Sequence, residues 1–232
     1  MTTQVIDDPY KGERFVYFDI ETIPNQSPGA LERAKKSVKP PAALKKPESI
    51  EKWWDEKSDD AAKDAWAKTS FDGGLGHVCT ISWAKNDGEI RTHHLNNIDD
   101  ESVMLASFFN DLDPYHSERL VGHYIAGFDI PFLIKRAIVL GIPLPPASSF
   151  PRDPKPWDKN IHDTMHMWAG AKGSIKMDAL CDIFGIPGKG DFDGSMVADA
   201  WANGKHRTIS EYCADDVSRT REIHKRFLRA GW

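Results

Sequence analysis

The chain contains no apolar run long enough to span a bilayer, which excludes an integral membrane role for the sequence as read. Cysteine is scarce: Cys79, Cys181 and Cys213 are isolated and form no CxxC pair. That excludes a zinc ribbon and a disulfide framework, and points to a reducing, cytoplasmic compartment. Residues 1–14 lack the apolar core of a signal peptide. A basic excess is also missing, since 30 lysines and arginines face 35 acids for a formal net charge of −5. A polyanionic partner must therefore be held by a local basic patch or through metal ions. Common site motifs fail as well. His162 and His166 are four apart but lack the glutamate of HExxH, and Gly185 to Lys189 lacks the Ser or Thr of a phosphate-binding loop. There is no internal repeat. The remaining composition is that of a globular protein, and 232 residues read as a single domain spanning 1–232.

Within that frame the hydrophobic pattern places elements. Arg14 to Glu21, RFVYFDIE, reads as a strand apolar on both faces, hence central in a sheet covered on both sides. An insertion follows at about 25–72. Its first part, Leu31 to Pro47, carries six basic residues and one acidic residue, and prolines leave it irregular or only partly helical. Glu48 to about Lys68 reads as a helix whose tryptophans, Trp53, Trp54 and Trp66, either pack a lid onto the sheet or stack on bases. Strands are expected over His77–Ala84, Glu89–Leu95, Arg119–Tyr124 and Asn160–His166. Helices are expected over Asp99–Phe109, Phe128–Leu140, Ile175–Phe184, Ser195–Ala202 and Ile209–Leu228. Thr208 and Glu211 have capping-box spacing, which sets the expected start of the last helix. Its basic residues Arg219, Arg221, Lys225, Arg226 and Arg229 read as a solvated face. Strands first and helices later suggest a three-layer α/β domain with a central sheet.

The chemistry concentrates in acids at element ends. Period-two alternation puts Asp19 and Glu21 on one face of the first strand. Two carboxylates there are costly to desolvate unless a cation meets them. Asp129 lies where a strand and loop hand over to a helix, and has equally the form of an N-cap before Ile130-Pro131. Tyr212 and Asp216 are four apart and share a face of the last helix with Ile223 and Phe227. Asp163 reads as a cap for the segment after it, or as an acid that supports a site.

In chain order these are FDIET, GFDIPFLIKR and YCADDV. The pattern resembles the DEDD superfamily of 3′-5′ exonucleases, in its tyrosine subgroup (DEDDy). The wording is most similar to the proofreading exonuclease domain of family B DNA polymerases and its free-standing bacterial and phage relatives. The resemblance implies a ribonuclease H-like three-layer fold, a central mixed sheet flanked by helices, with a helical insertion after the first strand. It implies two divalent cations, Mg2+ or Mn2+, held by Asp19, Glu21, Asp129 and Asp216, with Asp19 bridging and Asp129 acting through a bound water. Tyr212 would hold the attacking water. Glu211 stands where the histidine version of the third motif has its histidine. Tyr124 occupies a position where relatives often carry asparagine, so it either stacks on a base or packs the strand end. Phe128, Lys35, Lys36, Lys39, Lys45 and Lys46 are candidate substrate contacts. The implied activity is release of nucleoside 5′-monophosphates from a 3′ end of DNA, single strands favoured, in a bacterial or phage-infected cell. No polymerase segment is seen, so it would act alone or with a replication or repair protein. The alternatives are an RNA exonuclease on the same fold and an inactive nucleic-acid-binding module.

Overall fold

The computed structural model describes residues 12–112, 118–188 and 190–232. The signal-peptide reading at the N-terminus falls largely outside them, as does Lys189 of the GIPGK stretch. Five strands form one mixed sheet: β1 Phe15–Ile23, β2 His77–Lys85, β3 Arg91–His94, β4 Arg119–Gly122 and β5 Ile161–Asp163. Their order is β3-β2-β1-β4-β5. β1 pairs antiparallel with β2 and parallel with β4, and is therefore central, as its two apolar faces require.

Eight α-helices are described: α1 Ala30–Ser37, α2 Pro47–Ala67, α3 Glu101–Asp111, α4 Asp129–Leu140, α5 Thr164–Ala169, α6 Met177–Phe184, α7 Val197–Ala202 and α8 His206–Arg229. Val16, Phe18 and Ile20 of β1 pack with Leu105 and Phe108 of α3 and with Ile130, Phe132 and Leu133 of α4. On the opposite face Phe15 and Tyr17 meet Val217 of α8. Ile23 meets Val197 and Ala200 of α7 and Ile209 of α8. The result is a three-layer domain with one sheet between helices.

α8 runs the length of the second layer because Ile209, Tyr212, Cys213, Asp216, Val217, Thr220, Ile223, His224 and Phe227 recur at helical spacing and are buried. A polar chain crosses the layer inside this packing. His224 Nδ1 lies 2.9 Å from the Tyr17 hydroxyl, and His224 Nε2 lies 2.7 Å from His162 Nδ1. Burial pushes His162 down to about 4 and His224 down to about 3, so both rings are neutral near pH 7. Arg119 Nη1, 3.2 Å from His162 Nε2, has only protons to offer. His162 Nε2 must accept, so its Nδ1–H donates to His224 Nε2, and His224 Nδ1–H donates to Tyr17.

The insertion departs from the expected lid. α1 and α2 pack on each other, and none of the buried core clusters among the described residues takes a side chain from either helix. The tryptophans do not fasten it to the sheet. Trp53 and Trp54 meet edge to face at 5.1 Å, and Trp54 is 41% exposed. Trp66 ties the base of the arm by donating from Nε1 to the Asn25 carbonyl at 2.8 Å.

Several boundaries also move: the strand expected to Tyr124 ends at Gly122, Glu89–Leu95 is trimmed to Arg91–His94, and the helices expected from Asp99 and Ile175 begin at Glu101 and Met177. The expected strand Asn160–His166 stops at Asp163, whose carboxylate accepts from the N–H groups of Met165 and His166 and starts α5. The helix expected from Ser195 begins at Val197, after a 3-10 turn over Gly194–Met196. α8 starts at His206, upstream of the proposed Thr208–Glu211 box. The turn out of α7, with Gly204 at φ 67°, leads straight into it, and Trp201 stacks on His206 at 4.4 Å. Glu211 instead pairs with Arg207. Among the described residues no helix is long and apolar enough to cross a membrane.

Candidate active site

The carboxyl end of β1 carries Asp19 and Glu21, opposite Ser82 and Thr80 of β2. A register shift follows between Glu21 and Thr22, placing a bulge beside the acids. Asp129 is the first residue of α4, and its side chain is buried against β1 rather than capping its own helix. Its Oδ1 accepts from the Ile20 N–H at 3.3 Å. From the other layer, α8 brings Tyr212 and Asp216. The helix spacing expected from the sequence turns both inward, and a hydrogen bond links the tyrosine hydroxyl to the carboxylate.

Together these residues form an anionic cluster. Burial, then Glu21, Asp129 and Asp216 in turn, hold the Asp19 carboxyl well above the usual carboxylate range. Asp19 Oδ2 is buried and has no hydrogen-bond partner among the described residues. Asp129 is pushed up to about 7, chiefly by burial and further by Asp163 and Asp216. Tyr212 is raised far above the ordinary phenol value by burial, Asp216, Glu21 and Asp19, so it stays protonated. A carboxylate oxygen of Asp19, one of Glu21 and the Cys213 sulfur all lie within 4.8 Å of one another.

This donor set fits divalent cations. Two carboxylates ~4 Å apart repel by about 4 kcal/mol at an effective dielectric constant near 20. A buried oxygen with no proton donor adds a desolvation cost that a cation removes. Carboxylate oxygen suits hard ions such as Mg2+ and Mn2+.

The loop before Asp129 is held by Asp163. Its Oδ1 accepts from the Tyr124 N–H at 2.9 Å, and its Oδ2 from the Ala126 N–H at 3.1 Å. Asp163 is thus both the expected cap and the anchor of this loop. Tyr124 adopts φ 69° and is 45% exposed, so it does not simply pack the strand end. Its ring lies over Gly127, where a Cβ would come within 2.3 Å of it, so a larger residue there would push the ring aside. Phe128 packs on Phe132, with the exposed ring of Phe71 at 6.5 Å. Lys35, Lys36, Lys39, Lys45 and Lys46 are exposed on the arm, Lys35 paired with Asp59.

Two neighbours of the acids were not singled out from the sequence. The thiol of Cys213 donates to the Asp19 carbonyl at 3.4 Å. Its position between Tyr212 and Asp216 on the buried half of α8 was the available signal. Arg219, expected in solvent, bonds to Asp216 at 2.7 Å. Arg221 is also engaged, with the carbonyls of Asn86 and Gly88, and Lys225 pairs with Asp87.

Comparison with known proteins agrees with this architecture. Residues 72–230, more than half of the chain, match the family model described as a predicted 3′-5′ exonuclease related to the exonuclease domain of PolB. Asp129, Tyr212 and Asp216 lie inside the matched segment, whereas Asp19 and Glu21 precede it. Among solved structures, the family B DNA polymerase of the hyperthermophilic archaeon Pyrobaculum calidifontis superposes with a TM-score of 0.59 at 19% identity. The match covers 93% of this chain and 24% of that one, so the chain spans about a quarter of the polymerase. At that identity the likeness establishes the fold, which is ribonuclease H-like. No curated protein matches the sequence. By the extent of the family match, this chain belongs to the predicted 3′-5′ exonucleases related to the exonuclease domain of PolB.

Proposed function

We propose that the protein is a metal-dependent 3′-5′ exonuclease that releases nucleoside 5′-monophosphates from DNA, preferring single strands and using two Mg2+ or Mn2+ ions. The observation that carries this reading is the buried, unpartnered Oδ2 of Asp19 amid Glu21, Asp129 and Asp216. Asp19, Glu21, Asp129 and Asp216 would hold the cations, with Asp19 central. Bound there, two divalent ions supply Lewis acidity to both the attacking and the leaving side of a phosphoryl displacement.

The chain's own groups then have separate tasks. Tyr212 stays protonated and cannot take a proton, so its hydroxyl orients the attacking water by hydrogen bonding. Asp216 bonds to Tyr212 and fixes where that hydroxyl points. The exposed face of Tyr124 and the ring of Phe128 offer stacking surfaces to unpaired bases, which favours single-stranded ends. Lys36, Lys39, Lys45 and Lys46, with Lys35, form a basic stretch on the arm suited to the phosphate backbone. A replication or repair protein would direct the enzyme to its substrate.

The test uses DNA and RNA oligonucleotides labelled at either end, with Mg2+, Mn2+ or EDTA. Stepwise shortening of DNA from the 3′ end, stopped by EDTA and lost in Asp19→Ala, is expected. Full activity of Asp19→Ala would overturn the metal assignment, and shortening of RNA alone would overturn the substrate.

A further inference from the structure

Arg219 sits one helical turn beyond Asp216, and its side chain is only 12% exposed. Four groups hold it. Nη1 donates to Asp216 Oδ1 at 2.7 Å, Nε to the Pro187 carbonyl at 3.4 Å and Nη2 to the Gly188 carbonyl at 3.2 Å. Asp215 Oδ2 lies 3.6 Å from Nη2. Residues 212, 216 and 219 share one face of α8, so Asp216 is bonded from one side by Tyr212 and from the other by Arg219.

Resting on the reading that the acids hold divalent cations, we propose that Arg219 is a resident counter-ion that fixes the Asp216 carboxylate and lowers the affinity of that side of the site for metal. A guanidinium is a planar cation with donors only, so it offers a metal ion nothing but repulsion. Oδ1 of Asp216 accepts from Arg219 at 2.7 Å, so one carboxylate oxygen is already neutralised in part before a cation arrives. The two loop carbonyls prevent the guanidinium from swinging freely into solvent. A fixed +1 charge also repels an incoming +2 ion. Even at the dielectric constant of water, a separation of ~7 Å corresponds to about a tenfold change in affinity. Arg219 is thus a positioning residue that acts through Asp216, and it keeps the Asp216 side weakly loaded in the absence of nucleic acid.

The test is Mn2+ binding to the full chain without nucleic acid, by calorimetry and by the paramagnetic signal of free Mn2+. Arg219→Gln should bind Mn2+ at one site about tenfold tighter than the parent protein. Arg219→Lys keeps the charge and should stay within about threefold of it. Arg219→Met, with helix content and melting checked by circular dichroism, must give the same sign as Arg219→Gln. Unchanged or weaker binding in both neutral variants overturns the proposal. Asp19→Asn separates the two layers of inference. If it binds Mn2+ as the parent does, the metal reading itself fails. If it loses binding while the Arg219 variants stay unchanged, only the role of Arg219 fails.

Discussion

Replacing Asp129 by asparagine tests the electrostatic account of the site without nucleic acid. Asparagine retains an Oδ1 that accepts from the Ile20 N–H, so the contact between α4 and β1 survives. What it removes is a titrating carboxyl whose pKa stands at about 7 instead of the ordinary 3.8. The folded protein therefore holds the proton more tightly than the unfolded chain. The contribution to stability is fully present below about pH 3.8 and is lost as pH rises through about 7. Taken over that span, the loss is about 4 kcal/mol, of which roughly 3 kcal/mol falls between about pH 4.5 and about pH 8. In EDTA, Asp129→Asn should thus gain about 3 kcal/mol on the parent protein between those two pH values. Urea unfolding followed by tryptophan fluorescence measures the difference directly, and the Asp19 carboxyl, relieved of Asp129 in the variant, shifts it in the same direction. With Mg2+ or Mn2+ at ~100 times its dissociation constant, the parent should gain about 2.7 kcal/mol, and the variant much less. A difference between the two proteins that stays flat across this pH range would refute the reasoning. So would equal stabilisation of both by metal.

The other expectations concern the hydroxyl, the buried polar contacts and the arm. Tyr212→Phe should slow turnover by about 100-fold while leaving Mn2+ binding near that of the parent, read from single-turnover rates and calorimetry. Arg136→Ala should cost about 3–5 kcal/mol in urea unfolding, because it leaves the buried Glu101 carboxylate without the guanidinium that bonds both its oxygens. His224→Leu should cost about 2–4 kcal/mol, since it strands His162 Nδ1–H and removes a donor from Tyr17. The two histidines have depressed folded pKa values, so their contribution is present above about 6.5 and lost as pH falls towards about 3–4. His224→Leu should flatten that acid-side loss. Changing Lys36, Lys39, Lys45 and Lys46 to serine should weaken single-stranded DNA binding and reduce its salt slope by about 0.7 for each phosphate that is no longer neutralised. An unchanged slope would remove the arm from the substrate path.

Residues that face one another along a single element were legible from the sequence. Alternation showed that Asp19 and Glu21 share a face of β1, and the four-residue step showed that Tyr212 and Asp216 share a face of α8. Both follow from local backbone geometry, which needs no knowledge of neighbours. Boundaries were less legible, because several side chains compete for each helix end. Asp163 stops β5 early by accepting two helix N–H groups, and the capping-box spacing at Thr208 loses to a start at His206. The arm's tryptophans misled for a related reason. Helical spacing shows that they share a surface, but whether that surface meets the sheet depends on where the arm points.

The sequence by itself determined the central strand and the mixed α/β order and put forward the acids with Tyr212 as candidates, because each depends on periodicity or on a short ordered motif. Only the tertiary structure decided which charges balance those acids. Asp129, whose local sequence by itself favours a cap, has its carboxylate against Ile20 of β1. Arg219 had the spacing of a solvated residue until the carbonyls of Pro187 and Gly188, some 30 positions earlier, were seen to hold it against Asp216. Burial and long-range partners set the energy of a charge, and neither is encoded in the local pattern around it.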